Sequence, residues 1–156
     1  MGAVFNVYQA AVEDALSDSE VIKVSFNLPQ LLELWGKIIQ AAEITVDGTL
    51  GKDEFLNTFK ETLIARADEY PFLDPFAAKF KYLDGKVTFT GEVRKNFSQA
   101  IGICLNDTMN TLAERVALDG NDLYSPVRSA LASVKGDFQD EINRFNIAGI
   151  IPDLLG

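Results

Sequence analysis

The stretch Glu43-Ile44-Thr45-Val46-Asp47-Gly48-Thr49-Leu50-Gly51-Lys52-Asp53-Glu54-Phe55 decides how the rest of the chain reads. Upstream of it, Leu31, Leu34, Trp35, Ile38, Ile39 and Ala42 recur at helical spacing and give one helix a wide apolar face. Downstream, Phe55, Phe59 and Leu63 form a second stripe, with Leu56 beside it. Asp47-Gly48 and Gly51 are breakers, so residues 44–52 read as the turn between two helices, the second starting near Asp53.

Working towards the N-terminus, Asn27 is an N-cap candidate and Pro29 sits in the first helical turn. Ile22, Val24 and Phe26 alternate with Lys23 and Ser25 as a short strand. Ser17 to Glu20 break the chain, and Phe5, Tyr8, Val12 and Leu16 mark an amphipathic helix over residues 3–16. Working the other way, the second helix ends before Pro71, Tyr70 to Pro75 is a connector, and Phe76 to Phe80 reads as a short helix. Asp84-Gly85 then allows a hairpin over 79–90. In its two-residue-loop register Tyr82 faces Val87, Phe80 faces Phe89, Lys81 faces Thr88 and Lys79 faces Thr90, which separates apolar from polar faces. Phe97, Ile101, Leu105, Met109, Leu112 and Val116 mark a long helix over about 93–117. A turn cluster follows at 118–122. Ser125 caps a last helix at Pro126 with the stripe Val127, Leu131, Val134, Phe138, Ile142 and Phe145. Gly136 inside it costs about 1 kcal/mol relative to Ala and is a place to kink.

Composition limits the chemistry. The chain has 156 residues, 47% of them hydrophobic, which suffices for a real core in a single domain over 1–156 or in two lobes, 1–70 and 76–156. The net charge of −9 disfavours nucleic acid and anionic membrane as partners. No apolar run reaches the roughly 18 residues of a membrane span, and the acidic start lacks the features of a secretory signal. Histidine is absent, which removes His-based catalytic and metal arrangements. The lone Cys104 allows no internal disulfide and points to a cytoplasmic location. Cys104 lies on the apolar side of its helix and reads as core. No nucleotide-binding glycine loop and no nucleophile elbow is present, so the chain reads as a binding protein and not an enzyme.

Asp-Gly pairs recur at 47–48, 84–85 and 119–120, spaced by 37 and 35 residues. With that repeat, residues 43–54 resemble an EF-hand calcium loop, as in calmodulin-like and sarcoplasmic calcium-binding proteins. Such a loop has 12 positions, with glycine at the sixth and a bidentate glutamate at the twelfth. Gly48 sixth places Glu54 twelfth and Leu50 eighth, where the family pairs loops through a short strand. The resemblance implies a mainly α fold of helix-loop-helix units with short β pairing between loops. The alternative is a helical domain with one β-hairpin at 79–90, of α+β type. It also implies a Ca²⁺ site at Glu43, Thr45, Asp47, Thr49 and Glu54. That site departs from the pattern: Glu43 and Thr45 replace aspartates, and Gly51 at the ninth position has no side chain. One weak loop is therefore the most this sequence offers. Aligned on Gly85 or Gly120, the other units put Phe80 and Tyr82, or Arg115 and Ala117, at the first and third positions and hold no calcium.

Two functions follow as expectations. The first is a calcium-binding or calcium-responsive EF-hand-like protein. The alternative is a calcium-independent module of that shape, binding a protein partner or an apolar small molecule. With two Met against 11 Phe, the chain lacks the flexible surface of a calmodulin-type groove. Lys79, Lys81, Lys86, Arg94 and Lys95 form a basic cluster able to meet an acidic surface or to act as a solvated face. The apolar tail with Ile147, Ile150, Ile151, Leu154 and Leu155 is expected to dock on its own chain.

Overall fold

A computed structural model describes residues 28–93 and 96–155. The helix expected over 3–16, the break at 17–20, the strand from Ile22, the Asn27 cap, and Arg94 and Lys95 of the basic cluster lie outside the described residues.

The first helix, α1 (Leu28–Leu50), is the spine of the fold. Leu31, Leu34, Trp35, Ile38, Ile39, Ala42 and Val46 recur every three or four residues along it, and all are buried. The helix packs against α2 (Glu54–Ala65), α3 (Phe97–Ala117) and α4 (Tyr124–Asp137). Trp35 uses its polar edge within this packing, where Nε1 donates to Ser98 Oγ at 3.1 Å. One cluster of buried hydrophobic residues runs from Leu31 to Leu155 and includes Tyr70 and Leu73 of the connector. No helix among the described residues is long and apolar enough to cross a membrane.

The chain is mainly α with one short β pairing. Strands β1 (Phe80–Leu83) and β2 (Lys86–Phe89) are antiparallel and pair Phe80 with Phe89, Lys81 with Thr88 and Tyr82 with Val87, the register the alternation predicts. Thr90 N also donates to Lys79 O at 2.8 Å. Both turn residues have positive φ, 49° at Asp84 and 85° at Gly85, the mirror-image turn that suits the twist of a two-residue hairpin. The β pairing thus lies inside one hairpin and not between two calcium loops, because Leu50 ends a helix instead of forming a strand. The short helix expected over Phe76 to Phe80 is instead a single 3-10 turn, Pro75–Ala77, preceded by another at Pro71–Leu73. The chain leaves it through Ala78 at φ 58° and enters the strand at Phe80.

The hairpin lies on α1 through β2. A Cβ at Gly36 would sit 2.3 Å from the Gly85 carbonyl oxygen, so α1 approaches the turn this closely only because residue 36 has no side chain. Phe72 from the connector stacks on Phe97 at 6.0 Å between centroids and meets Phe89 edge-on at the same distance, which ties hairpin, connector and α3 together.

Helix α3 begins at Phe97, a turn later than the sequence suggests. Helix α4 begins at Tyr124, because the Asp122 carboxylate accepts from Tyr124 N at 3.1 Å and Ser125 N at 3.2 Å. Asp122, and not Ser125, therefore supplies the cap. The interruption expected at Gly136 falls at Phe138, after which the chain continues as α5 (Gln139–Arg144). The tail forms two short helices, α6 (Ile147–Ile150) against α3 and α7 (Pro152–Leu155) against α4. Ile147, Ile151, Leu154 and Leu155 are buried, each contributing about 1.5–3 kcal/mol of transfer free energy. The tail thus docks on its own chain. At Gly102 a Cβ would meet Ile150 Cγ2 at 2.3 Å, so the glycine makes the seat for α6.

Candidate functional site

Residues 43–50 are the last two turns of α1, and the twelve-residue loop expected over 43–54 is not formed. Three local features explain why the helix runs through Asp47-Gly48. Val46 falls four residues after Ala42 on the buried stripe, and its burial rewards another turn. Thr45 Oγ1 donates to Ala41 O at 2.8 Å and Thr49 Oγ1 to Thr45 O at 3.2 Å, so both hydroxyls bond within the helix. Gly48 keeps a helical backbone with open space around it. The reversal comes later, at Gly51 with φ 123°, whose N–H donates to Asp47 O at 2.9 Å and closes the helix.

Each of the five candidate calcium ligands has another engagement. Glu43 Oε1 accepts from Tyr82 Oη at 2.5 Å and joins the hairpin to α1. Thr45 and Thr49 make the helical bonds just given. Asp47 reaches across the turn: Oδ2 accepts from Asp53 N and Oδ1 from Phe55 N, both at 3.1 Å. Its carboxylate thereby satisfies two amide donors at the start of α2 that no helical carbonyl can reach. Glu54 Oε1 accepts from Arg115 at 2.6 Å, a partly exposed ion pair that adds little stability but fixes α2 against α3. Glu43, Asp47 and Glu54 do not come together as a group able to hold a metal ion. The Asp-Gly-Gly-Asp-Glu pattern therefore serves an αα-turn, in which an acid from the first helix caps the second.

Burial first, and then the Glu43 hydrogen bond, push the Tyr82 phenol well above its ordinary value. Burial pushes the Cys104 thiol up to about 12, so at neutral pH it is protonated and unreactive. Arg66 pairs with Glu69 and Asp107, both at 2.8 Å, and these bonds hold its guanidinium charged. A groove of about 390 Å³ between α2 and α3 is lined by Thr58, Glu61, Thr62, Asp107, Asn110 and Thr111. The groove is open to solvent, and its lining mixes hydroxyl, amide and carboxylate groups with apolar side-chain surface.

No protein-family model, curated protein or solved structure matches this chain.

The surface that stands out is the outer face of the hairpin. Phe80, Tyr82, Val87 and Phe89 point towards the core, so Lys79, Lys81, Leu83, Lys86, Thr88 and Thr90 point away from it, and all six are exposed. The lysines of this face are the described members of the basic cluster read from the sequence. The 3-10 turn that packs against β1 adds Phe76, 80% exposed. Sequence reasoning missed Phe76 by placing it in a short helix over Phe76 to Phe80. The usable signal was Asp74-Pro75 immediately before it, a cap and a ring that hold a turn.

Proposed function

We propose that the chain is a calcium-independent, non-enzymatic binding module that docks a protein partner. The observation that carries this reading is the helical course of residues 43–50, which spends the carboxylates of Glu43, Asp47 and Glu54 on holding the hairpin, α2 and α3 in place. A protein partner is favoured over an apolar small molecule because the groove between α2 and α3 is open and encloses little, while large apolar side chains, Phe76 and Leu83 among them, stand exposed on the surface. The lone, buried Cys104 is compatible with a reducing cytoplasm.

Titration calorimetry with calcium tests the reading. The folded protein is expected to give no binding heat even at millimolar calcium. Heat at micromolar calcium that disappears in Glu54→Gln would overturn it and restore the calcium-responsive function.

A further inference from the structure

We propose that the outer face of the hairpin, with Phe76 at its side, docks an acidic segment of a partner protein. The inference rests on the binding-module reading and names the surface and the chemistry of its ligand.

Charge is the first argument. The chain carries −9 overall, yet Lys79, Lys81 and Lys86 stand together on one small, exposed sheet face. Among the described residues none of the three is ion-paired, so the face offers uncommitted ammonium groups to a carboxylate-rich ligand. The nearby acids in the chain are Asp84 at the hairpin tip and Glu92 just beyond its end. A positive face on a molecule of net negative charge also orients an approaching acidic partner towards that face.

Rigidity is the second argument. Phe76 is held on a built turn. The Asp74 carboxylate accepts from Phe76 N at 3.0 Å, Ala77 N donates to Asp74 O at 3.0 Å, and Ala78 N donates to Pro75 O at 3.3 Å. Pro75 fixes the backbone just before the ring. An exposed aromatic side chain on a backbone already fixed in this way costs no backbone ordering when a partner covers it, which suits an anchor residue. Leu83, 68% exposed on the same face as the lysines, supplies a second apolar contact. A bilayer fits less well, because Leu83 is followed by Asp84 and inserting the tip would carry a carboxylate towards anionic headgroups. Nucleic acid fits less well because the remaining surface of the chain repels a polyanion.

The test uses the full chain labelled with nitrogen-15 and a synthetic glutamate-rich peptide containing leucine, with its lysine-rich counterpart as control. The glutamate peptide is expected to shift amide resonances at Phe76 and across Lys79 to Thr88. Its affinity should fall with rising salt and drop about tenfold when Lys79, Lys81 and Lys86 are all changed to glutamate. Phe76→Ala should weaken it several-fold without altering the salt dependence. Circular dichroism checks the folding of the triple variant, and Lys81→Gln alone, expected to weaken binding measurably, keeps the test usable if the triple variant is unfolded. The proposal is overturned by shifts confined to the groove between α2 and α3, by affinity unchanged in the lysine variants, or by a spectrum that responds only to phosphatidylserine vesicles, to single-stranded DNA or to protein concentration. Calcium heat would remove the binding-module reading on separate grounds, whereas an unresponsive spectrum would remove this surface and leave that reading in place.

Discussion

Gly48→Ala separates a helical course at residues 43–50 from a calcium loop by the sign of its effect. In a loop with its sharp turn at the sixth position, alanine would be strained and the variant destabilised. In the structure Gly48 lies inside α1 with helical backbone, and a Cβ there would meet nothing within 4 Å. Alanine then adds only helix propensity and is expected to stabilise by about 0.5–1 kcal/mol. Gly36→Ala, on the same helix, is the internal control. It gains the same propensity, but its Cβ would lie 2.3 Å from the Gly85 carbonyl oxygen, a backbone atom of the hairpin turn that cannot rotate away. Overpacking of about 1–3 kcal/mol should outweigh the propensity gain and leave the variant about 1–2 kcal/mol less stable. Urea unfolding followed by circular dichroism reads both, as opposite shifts of the midpoint at an unchanged slope. A Gly48→Ala protein less stable than the parent would refute the helical placement of Asp47-Gly48 and reopen the loop.

Asp47→Ala removes the acceptor for Asp53 N and Phe55 N and should cost about 1–2 kcal/mol in the same urea assay, with Asp47→Asn losing less because an amide oxygen still accepts. Gly102→Ala drives a methyl into Ile150 and should loosen the tail, seen as faster hydrogen exchange at the amides of Ile150 to Leu155 and a loss of about 1–2 kcal/mol. Tyr82 predicts an alkaline limit. Its folded-state pKa lies above the unfolded value of about 10, so the folded form holds its proton where the unfolded form has lost it, and stability falls as pH rises beyond that value. Tyr82→Phe should make alkaline unfolding less steep, and a profile identical to the parent's would show that Tyr82 does not contribute.

The hairpin was legible because its two signals agree: an alternation of period two on both sides and an Asp84-Gly85 pair suited to the mirror-image turn. The tail was legible because so many isoleucines and leucines have no stable alternative to burial. At 43–54 two signals conflict. Asp47-Gly48 favours a turn, while Val46 and Leu50 carry the helical spacing of Ala42 onward by two more steps of four. Local preference of about 1 kcal/mol for one glycine loses to burial of Val46 against the core. The acceptor role of Asp47 was hidden for a different reason. Its bonds to Asp53 and Phe55 span six and eight residues and exist only once the turn has closed. Phe76 escaped notice because an aromatic residue in a chain of ordinary hydrophobicity is assumed to be inside unless a rigid turn holds it out.

Helix α1 finds much of its cover in α4 and the following segment, which Arg144 extends by a hydrogen bond to Gln30 at 2.9 Å. Those elements leave the ribosome long after it does. At roughly 5–20 residues per second, the leucine, isoleucine and tryptophan stripe of the spine stands in water for several seconds before its covering helix is made. During that interval, among the described elements, α2, the hairpin and α3 are made before α4, so the nascent chain passes through a half-covered stage in which a chaperone has its natural opening.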